Sequence, residues 1–240
     1  MLLGRRRALC ILAALCVLFA GRMALNCGAT LRSVDEANFV VAGARLATDG
    51  GPLYRNALAP WGPVVCWLTA LVFRVAGLYH MTALRLVLVA WWVGTGLLVY
   101  WAARALLGRL ASLGAAAAFF LAAMNPGFQD IRVETLVPPF LAAAAGLVLR
   151  GVARRSTLLL ALSGVAMAGA FLTRQQVGPM LALMAAFPLA LAWHPRDGGR
   201  RWRAVVGPVL VVAGFAAVVG AVVAWYAARG LLHDFVYCFW

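Results

Sequence analysis

Asp35 and Glu36 stand side by side shortly past the first apolar segment, in a chain of 240 residues with only seven Asp or Glu. A carboxylate near lipid is costly, so each one retained in so apolar a chain is a candidate for chemistry. Such an acid can take the proton from an attacking hydroxyl or orient it, and a second acid from another loop could share a metal ion with it. Glu134, in the stretch MNPGFQDIRVETLVPP, is that second acid. The plainer reading makes Glu134 a helix N-cap and joins Asp130 to Arg132 as a surface ion pair. Arg174, followed by Gln175 and Gln176, ends a later apolar run in FLTRQQVGP. A guanidinium there suits a phosphate at headgroup level, although an arginine snorkelling to lipid phosphates would look the same. Arg132, Arg174 and Gln175 are the substrate-binding candidates.

The elements that must hold these residues are membrane helices. Hydrophobic residues make up 65% of the chain and charged residues 12%, against about half and a quarter in soluble domains. The net charge of +14 comes from 21 basic residues, all Arg, in short clusters between apolar runs. That is the pattern of cytoplasmic loops and not of a nucleic-acid surface. No nucleic acid is therefore expected as a partner.

Eight apolar runs are present: Ala8–Leu25, Trp61–Gly77, Leu84–Ala103, Leu110–Ala123, Leu136–Leu149, Leu158–Leu172, Gly178–Trp193 and Ala204–Ala228. With Arg5, Arg6 and Arg7 in the cytoplasm and Trp61–Gly77 not crossing, every later arginine cluster falls inside: Arg104 and Arg109, Arg150 with Arg154 and Arg155, and Arg196 to Arg203. The stretch from Pro63 to Arg74 is also too short for about 30 Å of hydrocarbon. It reads as an interfacial or re-entrant helix with Trp61 and Trp67 at the headgroups. The expectation is an all-α membrane protein of about seven transmembrane helices, its N-terminus cytoplasmic in the inner (plasma) membrane. All acids but Asp197 then fall outside, although they did not set the topology.

The first outer loop, residues 26–83, is by far the longest and should carry its own helices. Asp35 reads as the N-cap or first-turn residue of a helix that stops at Gly50-Gly51, before the turn-rich GGPLYRNALAPWGP. Residues 1–7 followed by an apolar segment resemble a secretion signal, but MALNCGA offers no good cleavage site, so an uncleaved anchor is expected. Cys10, Cys16 and Cys66 read as small core residues, and Cys27 and Cys238 as free thiols outside. His80, His194 and His233 form no ligand set, and no P-loop, Rossmann fingerprint, HExxH or GxSxG occurs.

The phrases DEANFVVAGARLATDGGPLYRN, GPVVCWLTALVFRVAG, ALRLVLVAWWVGTGLLVYWAARALLGRLASLGAAAAFFL and GAFLTRQQVGP follow one another along nearly the whole chain. In that order they resemble the GT-C superfamily of membrane glycosyltransferases, of the dolichyl-phosphate-mannose–protein mannosyltransferase and lipid A aminoarabinose transferase type. The resemblance implies inverting sugar transfer from a polyprenyl-phosphate donor, bound in a lipid-facing groove, to an acceptor it does not name. It implies Asp35 as base or acceptor-binding carboxylate with Glu36 as its neighbour, and Glu134 as the second acid. Arg174 falls near the lipid phosphate, and a divalent metal ion, where one is bound, would stabilise the leaving group; the resemblance leaves open whether one is. It also implies a single transmembrane module over residues 1–240 that is an N-terminal portion of a longer protein. A transporter or flippase of lipid-linked sugars, or a non-catalytic membrane subunit, are the rival readings. A transporter would more often carry polar residues at mid-membrane.

Overall fold

A computed structural model describes residues 4–25, 27–28, 33–49, 53–54, 62–124, 130–192 and 205–239. The described elements are all helical: α1 (Arg5–Ala24), α2 (Val34–Thr48), α3 (Pro63–Ala76), α4 (Met81–Ala103), α5 (Arg109–Ala123), α6 (Val133–Arg154), α7 (Thr157–Thr173), α8 (Gly178–Ala192), α9 (Gly207–Ala228) and α10 (Leu232–Phe239). Trp61, Asn56, the Gly50-Gly51 stop, His194, Asp197 and the arginines from Arg196 to Arg203 lie outside the described residues.

Four helices, α1, α4, α6 and α9, are long and apolar enough to cross a membrane. The other apolar helices are shorter. At 1.5 Å per residue the 14 residues of α3 extend about 21 Å, well under the roughly 30 Å of a hydrocarbon core. Arg74 at its last turn donates to the Leu46 carbonyl of α2 (2.8 Å), which ties the two short helices into one unit.

Backbones come close where side chains vanish. A Cβ on Gly164 of α7 would stand 1.9 Å from the Val211 carbonyl oxygen, and one on Gly214 of α9 would stand 2.0 Å from that of Ala161. This mutual seating of small residues is how helices associate in lipid, where no hydrophobic force separates helix from tail. Gly62, the N-cap of α3, lies against the end of α7 in the same way, its Cβ position 1.7 Å from the Leu172 carbonyl oxygen. The start of α3 is thereby fixed within two residues of Arg174.

The bundle has two unlike ends. At one, Phe39 and Val40 of α2, Val65 and Phe73 of α3, Leu84 and Leu88 of α4, and Ile131 and Leu136 at the start of α6 share a core with Tyr226 of α9 and Phe235 of α10. Phe171, at the end of α7, packs on the same core. Each fully buried aromatic of this kind contributes about 1.5–3 kcal/mol relative to an exposed position. Among the described residues every acid lies on α2 and its C-cap, just before or in the first turn of α6, or on α10. At the opposite end the close of α6, the start of α7 and the start of α9 pack together. There Arg150 lies 3.8 Å over the Trp101 ring, with Arg104, Arg154 and Arg155 at the neighbouring helix ends.

Cys66 is buried as expected, whereas Cys10 is exposed on the outward face of α1 and Cys16 is half-buried. A helix apolar all round packs on one side only, so a small apolar residue on its far side meets no protein. All five cysteines are free.

Candidate functional site

Helix α2 starts at Ser33, whose hydroxyl accepts from the Glu36 N–H at 3.2 Å. Ser33 is thus the N-cap, and Asp35 takes the second position of the first turn. A serine cap satisfies one of the free N–H groups at a helix start and leaves the neighbouring acids to other work.

The two adjacent acids then part. Successive helical side chains point about 100° apart, so one faces the bundle and the other leaves it. Glu36 is fully buried. Its Oε2 receives the Arg85 guanidinium of α4 at 2.9 Å, and its Oε1 accepts the Ile131 N–H at 3.4 Å. Arg85 is 3% exposed at its side chain and also donates to the Gly28 carbonyl at 2.9 Å. One carboxylate therefore ties α2, α4 and the stretch before α6 to each other. Asp35 points outwards, exposed, and among the described residues it has no hydrogen-bond or ion-pair partner.

Before α6, Asp130 is buried and accepts from Arg132 at 2.8 Å. This is the expected ion pair, although only Arg132 is at the surface, 35% exposed against 5%. Arg132, and not Glu134, holds the N-cap position of α6, where its N–H donates to the Thr135 hydroxyl at 3.1 Å. Val133 begins the helix because Thr135 can close that turn, so α6 starts three residues earlier than its apolar run. Glu134 falls in the first turn and reaches across to α7, with Oε1 2.5 Å from Arg174 Nη1.

Arg174 leaves the end of α7 in extended backbone (φ −149°), before a short 3-10 turn over Gln175–Val177. Its Nε donates to the Gln176 side-chain oxygen at 3.3 Å. Gln175 has a buried Oε1 without a hydrogen-bond partner, an acceptor in want of a donor. The structure therefore brings Glu134, Arg174 and Gln176 together, and Glu36 with Arg85. It keeps Arg132 with Asp130.

Arg85 is the residue that sequence reasoning overlooked. An arginine five residues into a long apolar helix needs a partner, and that alone could have singled it out. His80 accepts the Ala83 N–H at 3.1 Å and caps α4, while His233 is 90% exposed beside Asp234. Among the described residues no three His, Cys, Asp or Glu come together as a metal-ligand set.

A family model described as "Dolichyl-phosphate-mannose-protein mannosyltransferase" matches residues 59–225, well over half of the chain. The matched segment contains Arg85, Arg132, Glu134, Arg174 and Gln175, and begins after Asp35 and Glu36. Neither the curated proteins nor the solved structures compared with the chain give a match.

Proposed function

We propose a reaction for a chain that belongs to the dolichyl-phosphate-mannose-protein mannosyltransferase family, a family of membrane glycosyltransferases that use a lipid-linked sugar. It transfers a sugar from a polyprenyl-phosphate carrier to a hydroxyl acceptor, at the end of the bundle where α2, α3, α6 and α7 meet. Seven of the helices cross the membrane, α2 and α3 lie at its surface, the N-terminus is cytoplasmic, and the reacting end faces out of the plasma membrane. Charge supports that topology: among the described residues the acids gather at one end, and the clusters of Arg104 with Arg109 and of Arg150 with Arg154 and Arg155 lie at the other.

One observation carries the assignment of the base. Of the two neighbouring acids, Glu36 is consumed by Arg85 and the Ile131 N–H, while Asp35 is exposed and unengaged among the described residues. Asp35 takes the acceptor's proton as the acceptor oxygen bonds to the anomeric carbon. The bond from that carbon to the phosphate oxygen breaks on the opposite face, and its electron pair leaves with the phosphate, so configuration inverts. Arg174 holds the phosphate as a charge-assisted donor. Gln175, next along the chain, offers its side-chain amide to the donor. Glu36 acts through position alone, by fixing the first turn of α2.

The test is transfer from dolichyl-phosphate mannose or a shorter polyprenyl-phosphate mannose by the full chain in lipid vesicles. Asp35→Asn should lower transfer by about 10²–10⁴-fold, the usual contribution of a positioned base, with insertion and thermal stability unchanged. Full transfer by that variant would remove Asp35 from the chemistry.

A further inference from the structure

We infer that Glu134 is an exchangeable stand-in for the substrate phosphate on Arg174, releasing the guanidinium when the lipid-linked donor arrives and reclaiming it when the lipid phosphate departs. The inference rests on the reading of Arg174 as the donor-phosphate residue and adds a role for the acid beside it.

Three features of the pair point this way. The Glu134 carboxylate lies 2.5 Å from Arg174 Nη1, the place a phosphate oxygen would take, since both anions accept from the same guanidinium fork. The two side chains are 45% and 36% exposed, so water and a soluble anion reach them, unlike the sealed Glu36–Arg85 pair. Both also sit at helix ends. Arg174 follows α7 in extended backbone. Glu134 belongs to a first turn whose carbonyls lose partners, because Pro138 and Pro139 inside α6 have no N–H to donate four residues back.

The charges give the exchange a direction. A sugar–phosphate–lipid diester carries one negative charge and replaces a carboxylate charge for charge. The phosphate monoester left after transfer carries about −1.5 to −2 at neutral pH. It holds Arg174 more tightly, and a nearby carboxylate that competes for the same cation opposes its retention. Glu134 thus favours product release, a step that limits many enzymes.

The experiment measures binding of a short-chain polyprenyl phosphate to the full chain in detergent, together with its inhibition of transfer. Glu134→Gln should bind the lipid phosphate about three- to tenfold more tightly and show stronger product inhibition. Glu134→Asp, which keeps the charge on a shorter arm, should fall between it and wild type. Unchanged or weaker binding by Glu134→Gln, with Arg174→Gln still weakened, overturns the exchange and leaves the phosphate site standing. Unchanged binding by Arg174→Gln overturns the site reading itself.

Discussion

Two glutamate–arginine pairs occupy the same end of this bundle and differ in almost everything but their chemistry. Glu36–Arg85 is sealed, with side-chain exposures of 0% and 3%, and its carboxylate has a second donor in the Ile131 N–H. Glu134–Arg174 is open, 45% and 36% exposed, and among the described residues its guanidinium is shared only with the Gln176 side chain. Solvent separates their roles. A desolvated pair cannot lose one member without stranding a buried charge, so it works as a fastening. An exposed pair is worth about 0–1 kcal/mol, so a better anion can displace its acid. The proposed reaction uses both kinds: a fixed first turn on α2 to aim Asp35, and a cation that can be handed over.

The largest break in this contrast comes from removing one member of the sealed pair. Arg85→Ala should cost about 3–5 kcal/mol, read as a collapse of the thermal midpoint in detergent or as early proteolysis. Pairing it with a neutral partner in Glu36→Gln/Arg85→Met should recover a large share of that loss, because no charge is left stranded. Equal loss in single and double variants would mean that the pair is not the fastening.

The neighbouring acids offer the next test. Asp35→Asn and Glu36→Gln should fail differently, the first in transfer at full stability, the second in stability with activity lost in proportion to the folded fraction. Matching stability losses in both would erase the distinction between a free and a held carboxylate.

Smaller still is the effect at the open pair. Glu134→Ala and Arg174→Ala should each shift stability by no more than about 1 kcal/mol, and raising salt from 0.05 M to 0.5 M should shrink even that. A loss as large as that of Arg85→Ala would show that the second pair is structural after all.

What could be read along the chain followed local quantities. Hydropathy summed over a window identified the apolar helices, and the short stretch after Pro63 was recognisable by length. The position of Asp35 in a first turn was legible, whereas the cap is Ser33, whose hydroxyl accepts the Glu36 N–H. Of the two roles read for Glu134, the cap falls instead to Arg132, since Thr135 closes the turn there. Its pairing with Arg174 joins positions 40 residues apart, and the alternation of inside and outside ends had already placed both on one face. Arg85 escaped notice because its partner lies 49 residues away and no local pattern announces it.

The sequence by itself determined the class of protein, the end of the bundle on which the acids collect, and the family to which residues 59–225 belong. Each of these depends on composition, segment length or the order of short phrases, all of which add up along the chain. Only the tertiary structure decided which acid is buried and held and which is exposed. Solvation of a carboxylate is set by groups that the fold brings from distant segments, and two neighbours on one helix turn can meet opposite surroundings. Asp35 and Glu36 are one peptide bond apart, and α4 reaches only one of them.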